Sequence, residues 1–421
     1  MSEKSKEKLN LKNILQNPVV LIKWLLISVF MGLFAGAVGV GFFYSIHFAN
    51  DFRQEYPWLI YLLPIGGIVI VFLYHICRMD NDKGTNAVIS AARDEKKLSV
   101  LVAPLIFITS TITHLLGGSA GKEGAALQIG GAIASGLSKI FRLDEKDRKV
   151  IIMCGMSAVF ASIFGTPVTA AVFSMEILSV GMIQLSAIVP CAISAIVGAK
   201  LAEFCSISPT GFNFSEVPEI TVNSILKVCV LSVLCALLSV FFCIVMHRTQ
   251  ELYKKLFPNR YIRIIVGGVI IVILTLIVGS QEYNGAGMPI IENAFTGNSR
   301  YEAFILKLIF TALTLGAGYR GGEIVPVFFT GATFGNVAGR ILNIPPSFGA
   351  GIGLVSLFCG VTNCPITSII LSVELFGGES IVYFLISCAL SYMLSGYHSL
   401  YHEQRFVLSK LKADTIDEKA I

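Results

Sequence analysis

The sequence predicts an all-α polytopic membrane protein built from two repeated halves of broken, tilted helices. Three observations carry this. The 421-residue chain is 54% hydrophobic and only 14% charged, where soluble chains carry about 25% charged residues. Uncharged runs long enough to cross a bilayer recur along it. Two separate glycine- and proline-rich motifs each return once, at nearly the same interval.

The runs come first. Trp24 to Ile46, Val228 to Met246, Ile264 to Ser280 and Ser380 to Tyr397 are uncharged and close to the roughly 20 residues a spanning helix needs. Ile341 to Val373 is uncharged but too long for one span, and it contains Pro345, Pro346 and Pro365. It reads as two or more broken helices. The first run is too long for the apolar part of a signal peptide and no A-x-A-like site follows it, so it is expected to remain as a membrane helix. The segment before it, MSEKSKEKLNLK, is basic, as is the end of the chain around Arg405, Lys410 and Lys412. Both termini are therefore expected in the cytoplasm, with an even number of crossings. The net charge of +5 is spread over such segments, which reads as topology and not as nucleic-acid binding. The expected organisation is a cytoplasmic tail over 1–18, a first membrane half over 19–210, a second over 211–405 and a short cytoplasmic tail over 406–421 without a regulatory domain. With no signal peptide or regulatory domain recognised, a plasma (inner) membrane location is the expectation.

Ten cysteines invite a metal or redox reading, but none forms C-x-x-C and most lie inside apolar runs. They read as small packing residues. Six scattered histidines make no zinc pattern, and His114 and His398 read as structural. No cofactor is expected.

The repeat organises the rest. GGSAGKEGAALQIGGA (Gly117 to Ala132) lies over AGYRGGEIVPVFFTGA (Ala317 to Ala332) at an offset of 200, matching Gly121 with Gly321 and Glu123 with Glu323. GMSAVFASIFGTPVTAAVFSMEI (Gly155 to Ile177) lies over GLVSLFCGVTNCPITSIILSVEL (Gly353 to Leu375) at an offset of 198, matching Pro167 with Pro365 and Glu176 with Glu374. Repeated halves with interrupted segments at matching places point to a transport site between them. Broken helices leave free N–H groups at their N-termini, which carry partial positive charge. Such backbone is tolerated in a membrane only where protein or a water-filled cavity covers it. The repeat thus predicts an anion site made of backbone amides.

Within it, Glu123 and Gly124 sit at a glycine-rich helix start. A carboxylate there competes with a permeating anion for the same amides, and protonation would release it. The plain alternative is a glutamate that only caps a helix. Lys122 is expected to point to water and raise the local positive potential. In GGEIVP, Ile324 and Val325 offer amides ahead of Pro326, which suits a first helical turn. Glu323 could relay protons, shape the anion path or be structural. Glu176 and Glu374, at matched positions, suggest helix-end hydrogen bonds. In DNDKGTNAVISAARDE, Gly84 and Thr85 could form a further amide nest and Lys83 could attract anions, or the segment is a hydrophilic loop leading into an amphipathic helix. Tyr401 follows the last apolar run, where a tyrosine commonly anchors at the interface, although Tyr397 could do this instead.

At these residues the chain resembles the CLC family of anion channels and anion/proton exchangers, over about residues 20 to 405. GKEGA (Gly121 to Ala125) is similar to that family's G-K/R-E-G-P gate motif, which implies that Glu123 is the gate. GGEIVP is similar to its G-x-F-x-P motif, which implies that the amides of Ile324 and Val325 bind the central anion. Tyr401 matches its anion-coordinating tyrosine, and GTPVTAAVFSMEI its N-A-P-like turn and terminal glutamates. The resemblance implies inverted-topology halves (the CLC fold) and a homodimer with one pore per subunit. There are departures. DKGTN stands where the family has G-S-G-I-P, with Lys83 about where the anion-binding serine belongs. Ala125 replaces proline and Ile324 replaces phenylalanine. Ile177 stands where many exchangers have the glutamate that passes protons inward. The lost serine, the added Glu323 and the missing inner glutamate resemble the fluoride-exporting branch, and Val325 stands where that branch commonly has threonine.

The expected function is exchange of fluoride or chloride for protons across the lipid bilayer, with a passive anion channel as the alternative. A membrane-embedded enzyme would need a Ser/His, paired Asp or metal constellation at depth, and the spans show no Asp pair and no H-E-x-x-H.

Overall fold

The computed structural model describes residues 3–94, 96–297, 299–412 and 414–421, with side chains from residue 18 onward. Met1 and Ser2, part of the basic segment expected in the cytoplasm, lie outside the described residues. The first half runs through α1 (Glu3–Glu55), α2 (Leu63–Ile76), α3 (Thr85–Asp94), α4 (Val102–Leu115), α5 (Glu123–Ile140), α6 (Glu145–Phe164), α7 (Pro167–Glu176) and α8 (Ile188–Phe204). The second half repeats this order with α9 (Val222–Leu256), α10 (Arg260–Val278), α11 (Met288–Thr296), α12 (Ala303–Ala317), α13 (Ile324–Ile341), α14 (Pro346–Thr362), α15 (Pro365–Phe376) and α16 (Ile381–Leu394). Among the described residues, five helical stretches are long and apolar enough to cross a membrane: Pro18–Glu55, Pro57–Ile76, Leu185–Phe204, Val222–Leu256 and Arg260–Val278. The remaining apolar helices are shorter. The long run from Ile341 to Val373 does break. Asn363 turns left-handed (φ +56°) after α14, and Pro365 opens α15.

The two halves pack alike. α1 lies on α8, α6 and α4, just as α9 lies on α16, α14 and α12. α5 packs on α6, and α13 on α14. Small residues let these last pairs approach closely. A methyl group at Gly130 would sit 2.0 Å from the Gly155 carbonyl oxygen, and one at Gly353 would sit 2.2 Å from that of Gly331. Gly130 is therefore the counterpart of Gly331. The helix starts agree, since Glu123 opens α5 and Ile324 opens α13. This corrects the sequence alignment of the gate motif by one residue: the structural counterpart of Glu323 is Lys122, not Glu123. Glycines occur in pairs on both sides (Gly117 and Gly118, Gly130 and Gly131, Gly321 and Gly322), so a shift of one residue still matches most of them.

The second repeat motif ties the halves together. α7 and α15 start with proline, and their next two amides have no partner within the helix. Glu374, from α15, accepts the N–H groups of Val168 and Thr169 at 2.9 and 2.8 Å. Glu176, from α7, accepts those of Ile366 and Thr367 at 3.1 and 2.7 Å, and the Thr367 hydroxyl at 2.5 Å. Each half caps a helix of the other, which is the helix-end role the matched positions suggested. Glu176 is buried and Glu374 partly exposed. Replacing Glu176 with Ala strands the buried Thr367 amide, at about 1–3 kcal/mol, and removes the acceptor of the Ile366 amide. The expected result is a clear fall in the melting temperature of the detergent-solubilised protein, larger than for Glu374→Ala.

The end of the chain folds back. β2 (Arg405–Leu408) pairs in parallel with β1 (Ser179–Val180) and antiparallel with β3 (Thr415–Lys419). The segment expected as a simple tail over 406–421 thus pairs with β1, and the Ile421 N–H donates to the Tyr397 carbonyl at 2.9 Å.

Candidate functional site

The two glycine-rich segments meet at the centre. Gly121 and Gly322 form a two-way backbone bridge, each N–H donating to the other's carbonyl at 2.7 Å. The bridge places the N-termini of α5 and α13 side by side. A methyl group at Gly121 would lie 2.9 Å from Glu123 Oε2 and 3.1 Å from both Val325 Cβ and Pro326 Cδ. Only glycine leaves room for this crossing. Glu123 is buried, and its Oε2 accepts the Lys122 N–H at 3.0 Å. The amides of Glu123 itself and of Val325 also approach its carboxylate. Its carboxyl group is thus held at the starts of both helices, where the helix dipoles favour negative charge.

Glu323 reaches the other way. It forms the N-cap of α13, and its Oε2 lies 3.3 Å from where a methyl group on Gly124 would be. Gly322 packs so close that its own methyl position would be 2.5 Å from the Gly124 nitrogen. Tyr401 is buried, within electrostatic reach of both glutamates. Four buried polar atoms here have no hydrogen-bond partner among the described residues: Glu123 Oε1, Glu323 Oε2, Gln128 Oε1 and the Tyr401 hydroxyl. Glu323, Gln128 and Tyr401 among them line a common cavity.

Two cavities approach this centre. One, of about 860 Å³, is lined by the buried Thr85, Gln128 and Tyr401, by Glu323, and by Asp82, Lys83, Arg260 and Glu403. The other, of about 640 Å³, is lined by Arg53, Lys122, Asn284 and Val325. Arg260 and Arg263, at the start of α10, line the first, and Ser280 and Gln281, just past its end, line the second. The vestibules therefore lie at opposite ends of a 19-residue helix, about 28 Å long. The first is on the side of the C-terminal strands.

The remaining candidates sit around the first vestibule. The Gly84 N–H donates to Asp82 Oδ2 at 3.2 Å, so that amide is engaged. The Lys83 ammonium donates to Glu403 at 3.0 Å and its side chain is largely exposed, away from the buried passage. This hydrogen bond, with Lys83 and Lys96 charges nearby, holds the Glu403 carboxyl below the usual carboxylate range. Thr85 opens α3, the amphipathic helix of the plainer reading. Its hydroxyl accepts from Gln128 Nε2 at 3.2 Å and donates to the Gly124 carbonyl at 3.4 Å. The chain around Tyr401 is braced by Asn86, which accepts the Glu403 N–H at 3.0 Å, and by Arg93, which donates to the Glu403 carbonyl. Lys122 does not extend freely into water. Its ammonium lies 4.1 Å over the Phe43 ring at the edge of the second vestibule.

Three residues here escaped sequence reasoning. Gln128 stands one turn beyond Gly124, a spacing that could have shown it. Arg320, paired with Asp82 at 3.2 Å, and Arg53 carry no motif. The cysteines of the described chain are free, and no group of three or more His, Cys, Asp or Glu among the described residues could hold a metal ion. His114 is buried and bonded to the Ser110 carbonyl at 2.8 Å.

A family model described as voltage gated chloride channel matches residues 65–396. The chain belongs to this family, the CLC family. The CLC chain is 35% identical over 395 residues to a chloride/fluoride channel protein of Pseudomonas syringae pv. tomato, covering 92% of this chain and 87% of that one. It is 25% identical over 386 residues to the H(+)/Cl(-) exchange transporter ClcA of Vibrio campbellii, covering 83% and 81%. Among solved structures it matches a CLC-type fluoride/proton antiporter with TM-score 0.88 and 30% identity, covering 91% and 98%. Its helices thus follow the CLC fold of two repeats, and it is a membrane transport protein.

Proposed function

We propose that this CLC protein exchanges a halide for protons, with Glu123 as the protonatable gate and fluoride ahead of chloride as the ion. One observation carries the reading: the Glu123 carboxylate occupies amides from both halves while its Oε1 has no partner. As a carboxylate it fills the anion's place. Protonated, it loses the charge that holds it there, and an anion can take the amides of Gly124, Ile324 and Val325. Glu323 and Tyr401 line the passage toward the first vestibule, where Glu323 can pass the proton that the missing inner glutamate would carry. Thr85 lies on that side of the gate, with Gly84 and Lys83 in the same vestibule lining. The similarity to a fluoride/proton antiporter and to a proton/chloride exchanger supports exchange over passive conduction. We further propose a homodimer with one pore per subunit in the plasma membrane, with both termini and the first vestibule facing the cytoplasm, and halves meeting near residue 210.

Purified protein in liposomes, given a fluoride gradient and then a chloride gradient, tests this. Anion efflux and proton uptake are recorded together, with Glu323→Gln in parallel. Fluoride efflux with stoichiometric proton uptake, and proton uptake impaired in Glu323→Gln, is expected. Chloride flux without proton movement would make it a channel.

A further inference from the structure

The second vestibule holds a buried guanidinium that the gate does not use. Arg53, near the end of α1, is only 6% exposed. Its stem lies along Gly117, and its Nη2 is 2.9 Å from the methyl position of Gly285. Its polar contacts are long and neutral: Nη1 to Gln281 Oε1 at 3.4 Å and Nη2 to Asn50 Oδ1 at 3.5 Å. Its Nε has no partner, and no carboxylate pairs with it among the described residues. A buried charge left without an opposite one is costly, and an arrangement that keeps it calls for a counterion.

The neighbouring charges do not supply one. The Lys122 ammonium rests on Phe43, and its opposite charge is the neighbouring Glu123. Lys307 is fully buried, and its ammonium donates to the carbonyls of Tyr283 and Gly285 at 3.1 and 2.7 Å. The acids of the vestibule are engaged elsewhere, Asp51 with His47 at 2.7 Å and Glu282 with Arg300 at 3.5 Å. The cavity that Arg53 and Lys122 line reaches Val325, beside the gate.

We propose that Arg53 forms an anion-capture site in this vestibule, where a small inorganic anion, fluoride or chloride, binds before it reaches the gate. The inference rests on the halide transport proposed above. The guanidinium offers N–H donors and a fixed charge, and the low-dielectric walls of the cavity focus its field. The ion held there is placed to enter the amides at the gate, that of Val325 among them, when Glu123 leaves.

The test is uptake into liposomes in which protein orientation has been fixed by one-sided proteolysis of a C-terminal tag. Initial rates are measured against sodium fluoride and sodium chloride applied to each face. Arg53→Gln removes the charge, Arg53→Lys restores it, and Asn50→Asp puts a tethered carboxylate beside the guanidinium. With fluoride or chloride on the Arg53 face, half-saturation should rise at least about fivefold in Arg53→Gln and Asn50→Asp, the scale of electrostatic capture. Saturated rates, and rates from the opposite face, should stay within about twofold, and Arg53→Lys should recover most of the loss. Equal changes on both faces, a lower saturated rate at unchanged half-saturation, or no change in the variants would overturn the site and make Arg53 a brace for the Gly285 loop. Asn50→Asp keeps the test open if Arg53→Gln does not fold. Calorimetric titration with the same salts separates this proposal from the one beneath it. Halide binding that weakens in Arg53→Gln, without any flux in the unmodified protein, keeps the site and sinks the exchanger.

Discussion

Glu123→Gln should abolish proton coupling while leaving anion movement in place. Gln has the shape of the protonated side chain but cannot gain or lose a proton at working pH. It would still reach the amides of Lys122 and Val325, but as a neutral acceptor. Charge-assisted hydrogen bonds are roughly twice as strong as neutral ones, so the side chain should compete less well with fluoride or chloride. Proton uptake driven by an anion gradient should fall at least about a hundredfold, the lower end for removal of a group that transfers a proton. Anion flux should persist and lose its dependence on pH. Simultaneous recording of both ions in liposomes decides the matter. Coupling that survived in the variant would move the essential proton site to another acid, with Glu323 the first to examine.

Gly130→Ala should damage the protein as a whole. The added methyl group would stand 2.0 Å from the Gly155 carbonyl oxygen and 2.5 Å from its carbon. These are backbone atoms, so no side chain can swing aside, and α5 must move off α6. Alanine gains about 1 kcal/mol in helix propensity over glycine. Overpacking of this kind typically costs about 1–3 kcal/mol, and a backbone obstacle on both sides puts this site at or beyond the upper end. Because α5 carries Glu123 at its first turn, transport should fall together with stability. Gly41→Ala is the control, since nothing lies within 4 Å of its methyl position. Size-exclusion thermal melts of the two variants should differ by several degrees or more, with only Gly130→Ala falling. Equal melting of both would mean that the helix pair adjusts freely.

Much of this was legible because it is local. Runs of uncharged residues mark spans, and Pro167 and Pro365 mark helix starts whatever surrounds them. Two glutamates at matched places after those prolines pointed to helix ends. What they cap was not legible, because each caps a helix almost two hundred residues away. Lys83 and Gly84 show the same limit. Their spacing suits an anion nest, but Asp82 and Glu403 engage them, and Glu403 lies on a segment that only the fold brings near. The gate register failed for a different reason. Paired glycines match under two alignments, and only the contacts of Gly130 with Gly155 and Gly331 with Gly353 separate them.

The amino-acid sequence alone determined the membrane class, the duplicated halves and the family resemblance. These follow from composition, periodicity and motif, which need no partner residue. The tertiary structure alone decided that Glu123 sits across the starts of both helices and that Lys122, not Glu123, is the counterpart of Glu323. It also decided that the halves cap each other and that Arg53 is buried without an acid beside it. Those are statements about which atoms come together, and hydrogen bonds, steric contacts and buried charge depend on distances that the linear chain does not carry.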